Sequence, residues 1–127
     1  MKIAILLPLK ENYSLIGAGA VSILVNSHLS KSTYKKNIKI YGTKIARPLN
    51  KNQFINLKSN RLFFSNKSYV RSFVSKIEKN TKIIELHNRP KYFSYIKKIF
   101  PEKKFILFFH NNPKDLRGSS SIEERKF

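Results

Sequence analysis

The 127-residue sequence has no cysteine, only seven acidic residues and only four glycines. Without cysteine, disulfide bonds and thiolate metal sites are excluded, which fits a reducing compartment. No apolar run approaches the roughly 20 residues that a membrane-spanning helix needs. The short apolar segment after Met1 and Lys2 is also too brief for the core of a secretory signal peptide. These absences favour a cytoplasmic chain.

Common catalytic and cofactor motifs are missing as well. The sequence contains no Gly-x-Ser-x-Gly, His-Glu-x-x-His or Walker motif. Its three histidines, His28, His87 and His110, lack the spacing of metal ligands, so no metal site is predicted. The glycine segment 17–20 fits the dinucleotide fingerprint poorly, because Ser22 stands where a glycine is needed and no acidic residue follows the next predicted strand. We therefore expect no nicotinamide or flavin cofactor, and no other cofactor.

What the sequence has in excess is positive charge, with a formal net charge of +19. Such a surface could attract nucleic acid or an anionic membrane leaflet. Lysine outnumbers arginine twenty to six and is spread along the whole chain, and asparagine and isoleucine are also abundant. An A+T-rich genome gives this composition. Nucleic-acid readers usually cluster their charge and use arginine. Solvated charge from codon bias, a membrane or acidic partner, and nucleic acid remain as explanations, and nucleic acid is the least expected.

The hydrophobic content of 41% is sufficient for the core of one domain. Largely apolar segments predict strands at 2–7, 38–41, 62–64, 83–87 and 105–109, while residues 43–60 are predicted to form a long surface loop with at most one helical turn. A first helix after Gly17 is predicted by apolar residues at helical spacing, namely Val21, Leu24, Val25, His28 and Leu29. A second is predicted from Asn66 or Ser68 and a third from Pro90. This order predicts an α/β, Rossmann-like, doubly wound parallel sheet with strand order 3-2-1-4-5.

Two of the predicted strands end in a similar way. Strand four ends in His87-Asn88-Arg89-Pro90, and strand five in His110-Asn111-Asn112-Pro113. Neighbouring parallel strands bring such endings together at the carboxyl edge of the sheet, beside the switch point between strands one and four. Gly17 and Gly19 would face the same edge. The structural alternatives are that Asn88 caps a helix, that the second segment is only a turn, and that the glycines serve packing.

Glu85 precedes the first of these endings by two residues. Alternate residues of a strand share one face, so Glu85 and His87 could contact each other. At the other end of the chain, Ser121 and Glu124 have capping-box spacing. They predict a helix that begins near Ile122 and is cut off by the end of the sequence. We therefore expect one domain at 1–118 and the start of a truncated helix at 119–127.

These residues resemble a known family. The opening strand with its glycine loop, the segment IIELHNRP and the segment FILFFHNNPKDLRGSSSIEERKF resemble the N-terminal half of retaining glycosyltransferases with the GT-B fold. This is the bacterial family that builds lipopolysaccharide and other surface glycans. The resemblance covers essentially the whole chain, although residues 43 to 80 contribute little to it.

The resemblance implies roles for individual residues. Gly17 and Gly19 match the loop that faces the donor diphosphate, and His110 matches a catalytic histidine near the transferred sugar. The acceptor side is matched by His87, Asn88, Arg89, Asn111 and Arg117. The acidic donor-sugar motif of the family belongs to a C-terminal domain and has no counterpart here. The resemblance therefore implies that residues 1–127 alone are inactive.

The first functional hypothesis is a glycosyltransferase N-terminal domain. In the complete protein it would take part in moving a hexose, with retention, from a nucleotide-sugar to a glycan or lipid-linked acceptor, in the cytoplasm and in peripheral contact with an anionic membrane. The alternative is a non-enzymatic basic α/β module that binds nucleic acid or phosphorylated ligands. Histidine and asparagine at strand ends favour the first hypothesis, because nucleic-acid binding does not require them there.

Overall fold

The computed structural model describes residues 1–57 and 65–110. Its elements follow the order expected of alternating strands and helices. They are β1 (Lys2–Leu6), α1 (Ala20–Lys31), a 3-10 turn (Lys35–Asn37), β2 (Ile38–Thr43), β3 (Phe54–Leu57), α2 (Asn66–Lys76), β4 (Thr81–His87), α3 (Pro90–Ile99) and β5 (Lys104–Phe108). No described helix is both long and apolar enough to cross a bilayer.

The five strands form one parallel sheet in the order β3-β2-β1-β4-β5. The predicted Rossmann-like fold and its strand order are therefore confirmed. Strand β1 lies at the centre, where Ile5 pairs with Ile40 on one side and with Glu85 on the other. Central strands of this kind are covered on both faces, which explains the unbroken apolar sequence of β1.

Helices cover both faces of the sheet. Helix α1 packs through Val21, Val25 and Leu29 on the face that carries Ile5. Helices α2 and α3 pack on the opposite face, which carries Ala4, Leu6, Ile84 and Leu86. Because Glu85 pairs in register with Ile5, Glu85 and the alternate residue His87 point to the α1 face. The packing of α1 therefore sets the surroundings of both side chains.

The third strand is earlier in the sequence than predicted. Phe54–Leu57 forms β3 and pairs with β2, so the expectation of loop through these residues was wrong. The predicted strand at 62–64 lies outside the described residues. Only Phe54 and Leu57 of β3 are buried, whereas Asn56 is exposed. An edge strand with two core residues shows too little alternation to be recognised from sequence.

Two details of the helices also differ from the sequence-based expectations. His28 was placed on the core-facing side of α1 but is exposed, and the buried position beside Val21 is Ser22. Helix α2 is capped by Ser65, whose side chain accepts a hydrogen bond from the Ser68 amide at 3.2 Å, rather than by the predicted Asn66 or Ser68. Pro90 does begin α3 as predicted. The helix expected after Ser121, and with it the segment 119–127, lies outside the described residues.

Candidate functional site

The ends of β4 and β5 are joined by hydrogen bonds at the carboxyl edge of the sheet. The Asn88 amide donates to the Phe108 carbonyl at 2.9 Å, and the His110 amide donates to Oδ1 of Asn88 at 2.7 Å. Asn88 has a φ of 54°, in the left-handed region that asparagine tolerates better than most residues. The chain turns there toward α3 while the Asn88 side chain holds the end of β5. The ends of β4 and β5 are therefore held together through Asn88, Phe108 and His110.

Beside this turn, three side chains form a continuous chain of hydrogen bonds. Oε1 of Glu85 lies 2.9 Å from Nε2 of His87, and Nδ1 of His87 lies 2.7 Å from Nε2 of His110. The two imidazole centres are 5.0 Å apart with planes 20° apart, as expected for rings joined edge to edge by the N–N contact. The predicted contact between Glu85 and His87 is confirmed. The same series of hydrogen bonds also includes His110, whose contact with His87 was not predicted from the sequence.

His87 is the most enclosed member of this chain. Its side chain is 1% exposed, against 16% for Glu85. The ring of Phe108 stacks on it at 5.1 Å with planes 9° apart. Both ring nitrogens are engaged by protein partners, so His87 has no free polar atom to offer to a ligand. Its contribution to a site is therefore made through His110.

The surroundings of His110 favour a neutral imidazole. Burial lowers the pKa of His110, and the neighbouring His87 lowers it further. Glu11 and Glu85 act in the opposite direction, while His28 adds a smaller lowering effect on this pKa. The net direction is downward from 6.5, so the neutral imidazole of His110 predominates at pH 7. A neutral imidazole has one nitrogen that donates and one that accepts a hydrogen bond.

Arg89 follows the turn and is the residue that precedes the first turn of α3. It makes no side-chain cap, and its Nη1 instead donates to the Asn88 carbonyl at 2.8 Å. The alternative interpretation of Asn88 as a helix cap is therefore wrong, because its side chain binds the His110 amide. Arg89 is partly exposed beside the two strand ends.

The glycine loop lies against the carboxylate of Glu11 at the start of α1. Oε2 of Glu11 accepts hydrogen bonds from the Ser22 amide at 3.1 Å and from the Ser22 hydroxyl at 2.6 Å. A Cβ on Gly19 would lie 2.2 Å from the same oxygen. Gly17 has a φ of +68°, and its carbonyl accepts from Nδ2 of Asn12 at 2.7 Å. Both glycines thus serve the local fold of this loop.

Glu11 is the residue that sequence reasoning missed. It precedes α1 by nine positions in a segment without periodicity, so no spacing links it to the helix that it caps. Carboxylates are favourable at helix N-termini because the first amide groups lack partners within the helix. An acidic residue shortly before a glycine-containing helix start was the one available signal.

Two tyrosines hold the segment between β1 and this loop. The Tyr69 hydroxyl donates to the Leu7 carbonyl at 2.6 Å, and the Tyr92 hydroxyl accepts from the Leu9 amide at 3.4 Å. Burial raises the pKa of both tyrosines, most strongly for Tyr69. They remain protonated donors well above neutral pH. The carboxyl end of β1 is thereby tied to α2 and α3.

The structure thus brings His87, Asn88, Arg89 and His110 together, with the Glu11 loop close enough to affect the pKa of His110. Gly17 and Gly19 lie on the α1 side of the same edge, whereas Asn111 and Arg117 lie outside the described residues. Within residues 1–57 and 65–110, no group of three or more histidine or acidic side chains could hold a metal ion.

Comparisons with known protein families, with curated proteins and with solved structures found no match to this chain. The fold is shared by proteins of many different functions, so it does not select one of them. The functional argument therefore depends on the side chains at the carboxyl edge.

Proposed function

We propose that this chain is the acceptor-side, Rossmann-like domain of a retaining GT-B glycosyltransferase that moves a hexose from a nucleotide-sugar to a glycan or lipid-linked acceptor. The observation that carries the proposal is the contact of His110 with both His87 and Asn88, beside the switch point of the sheet. Open α/β sheets bind their ligands at this place. Neutral imidazole, amide and guanidinium groups are suited to hydrogen bonding with sugar hydroxyls and phosphates.

In this proposal the acceptor meets His110 and Arg89, which are both partly exposed. Asn88 and His87 are buried and support those two residues. Retaining transfer needs a stabilised diphosphate leaving group and a stabilised oxocarbenium-like transition state, both of which depend on preorganised dipoles and cations. The acceptor-side residues orient the attacking hydroxyl. Such orientation supplies a large part of the rate enhancement in a bimolecular transfer.

The donor side of the proposal involves Gly17, Gly19 and the start of α1. Glu11 already binds the Ser22 amide and hydroxyl there, and its negative charge opposes the binding of a diphosphate. A nucleotide-sugar would therefore have to displace the Glu11 carboxylate and take over the Ser22 donors. Glu11→Gln removes the charge at similar volume, so it should strengthen binding of a nucleotide diphosphate if this proposal is right.

The direct test is NMR titration of the ¹⁵N-labelled chain with nucleoside diphosphate hexoses and, separately, with glycan oligosaccharides. Donors should shift the amides of Gly19 and Ser22, and acceptors those of Asn88 and His110. The distant Lys98, which is exposed on α3, supplies the control amide. If no sugar shifts the edge amides while a nucleic acid binds with steep salt dependence, the basic-module alternative replaces this proposal.

Catalysis gives a second test. The resemblance assigns the acidic donor-sugar motif to another domain, so residues 1–127 alone should show no hexose transfer above the uncatalysed rate when release of the nucleotide is followed. Transfer at a rate comparable to that of an intact glycosyltransferase would contradict the assignment of this chain to the acceptor side. Added nucleotide-sugar without acceptor controls for hydrolysis.

The cytoplasmic location and the membrane contact are also part of the proposal. The net charge of +19 would attract an anionic leaflet, with roughly 1 kcal/mol for each lysine near the surface. Cosedimentation should be stronger with vesicles that contain anionic lipid than with neutral phosphatidylcholine vesicles, and it should weaken as salt is added. Equal recovery with both kinds of vesicle would leave codon bias as the explanation of the charge.

A further inference from the structure

The chain Glu85–His87–His110 has only one consistent direction when both imidazoles are neutral. An ionised carboxylate can only accept, so Nε2 of His87 must carry the proton that points to Glu85. Nδ1 of the neutral His87 is then an acceptor, and Nε2 of His110 must donate to it. Nδ1 of His110 is left without a proton. In the part of the chain that the structure describes, no donor contacts this nitrogen.

Among the described residues, the titratable groups that affect the pKa of His110 come from three elements. Strand β4 supplies Glu85 and His87, the loop after β1 supplies Glu11, and helix α1 supplies His28. Among these, the carboxylate of Glu85 contacts His87 and not His110. A positive charge is therefore better stabilised on His87, next to Glu85, than on His110, which adjoins another imidazole.

We propose that Glu85 and His87 are positioning residues that hold His110 with its Nδ1 as an acceptor for a ligand hydroxyl, and that they relay a proton taken up there. A proton that binds Nδ1 of His110 allows Nε2 of the same ring to pass its own proton to Nδ1 of His87. His110 stays neutral with its tautomer inverted. The positive charge rests on His87 beside the Glu85 carboxylate, and the number of protons is conserved.

This inference deepens the proposed function and rests on it for the nature of the ligand, which would be a hydroxyl of the sugar acceptor. The proton relay between His110 and His87 does not require a bound ligand. An acceptor nitrogen with a linked base behind it can orient a hydroxyl and draw its proton away as the oxygen attacks. The inverted tautomer, by contrast, presents a donor to the ligand. Addition of one proton to the His87–His110 pair thus changes the ligand group that Nδ1 of His110 binds. Before protonation it binds a hydrogen-bond donor, and afterwards it binds a hydrogen-bond acceptor.

The experiment is ¹⁵N NMR of the histidine rings, in which two-bond couplings distinguish the two neutral tautomers and the imidazolium. At high pH both His87 and His110 should be Nε2–H tautomers. As the pH falls, the first proton should make His87 an imidazolium while His110 changes from the Nε2–H to the Nδ1–H tautomer. If His110 instead becomes the first imidazolium, or is already the Nδ1–H tautomer at high pH, the proposal is overturned.

Variants test the role of each positioning residue. Glu85→Gln can still accept from His87 but no longer stabilises its charge, so the tautomer inversion of His110 should move to lower pH. His87→Phe keeps an apolar ring against Phe108 and should abolish the inversion, leaving His110 to titrate directly. Glu102→Gln removes a charge from a side chain that is 68% exposed and should leave the inversion unchanged. Inversion at unaltered pH in Glu85→Gln would refute the relay even if His87→Phe failed to fold.

A sugar titration separates this inference from the proposed function. Binding of glycans without the tautomer inversion would retain the glycosyltransferase proposal and remove the relay. The inversion without any binding of sugars or nucleotide-sugars would retain the relay and remove the proposed function.

Discussion

Substitution of Gly19 by alanine isolates the contact between the glycine loop and Glu11. The backbone of Gly19 has φ −70° and ψ 166°, which alanine adopts without strain. The added Cβ, however, would lie 2.2 Å from Oε2 of Glu11 and 3.0 Å from its Cδ. The carboxylate is the end of a flexible side chain, so it would move away rather than distort the backbone. The cost is then the loss of its two hydrogen bonds to Ser22.

The size of this cost follows from the burial of Ser22, which is 0% exposed. Without Glu11, no described acceptor replaces the carboxylate at the Ser22 amide and hydroxyl. A hydrogen bond to a charged group contributes about 1.5–3 kcal/mol, and loss of a helix N-cap about 0.5–2 kcal/mol. We expect Gly19→Ala to lower the free energy of unfolding by about 2 kcal/mol, and Glu11→Ala to lower it by a similar amount.

A double-mutant cycle in urea, followed by circular dichroism, measures the coupling. In the Glu11→Ala background, Gly19→Ala should cost nothing or stabilise by up to about 0.5 kcal/mol, since alanine restricts the unfolded chain. Gly17→Ala serves as the control, because its φ of +68° makes the loss independent of Glu11. An equal loss from Gly19→Ala in both backgrounds would refute the assignment of Gly19 to the carboxylate.

Other predictions concern individual polar side chains. Lys103→Met should lower the free energy of unfolding by about 1–3 kcal/mol, because the buried ammonium donates to two backbone carbonyls, at 2.6 and 3.2 Å, and Lys98→Met on the exposed side of α3 should have little effect in the same urea experiment. Tyr69→Phe should lower it by about 1–2 kcal/mol through loss of a buried hydrogen bond of 2.6 Å, with Tyr34→Phe, 51% exposed, as the neutral control. Burial and, to a smaller extent, the neighbouring His87 lower the pKa of His110 below 6.5 in the folded state. The unfolded state therefore binds more protons than the folded state, and the free energy of unfolding should fall as the pH drops through 6.5. The variant His110→Asn should reduce this pH dependence of the free energy of unfolding.

The sheet could be predicted because most of its strands, including the edge strand β5, are recognisable from their own residues. Strands β1 and β5 are apolar after their first lysine, β4 contains the pair Ile83-Ile84, and right-handed crossovers leave few ways to arrange these strands. Strand β3 was not predicted, because only two of its four residues are buried in the core. His28 was predicted to face the core, because a helical repeat of apolar residues defines the buried face only to within about one residue. In the structure the buried face includes Ser22 instead.

The site was predicted unevenly for a physical reason. Glu85 and His87 are two residues apart on one strand, so their contact follows from strand geometry. The contact of His87 with His110 depends on the register of β4 with β5 and on the turn at Asn88, neither of which the sequence specifies. Glu11 reaches Ser22 across a loop that is shaped by Asn12 and Gly17, so it depends on several contacts formed together.

The turn at Asn88 sets a narrow tolerance for substitution at that position. The residue must adopt a φ of 54° and also accept a hydrogen bond from the His110 amide through its side chain. Glycine meets the first requirement only, and the β-branched valine and isoleucine meet neither. Aspartate meets both. In a library of all residues at position 88, selected for folded protein, asparagine and aspartate should therefore be enriched above glycine, and valine and isoleucine should be the most depleted.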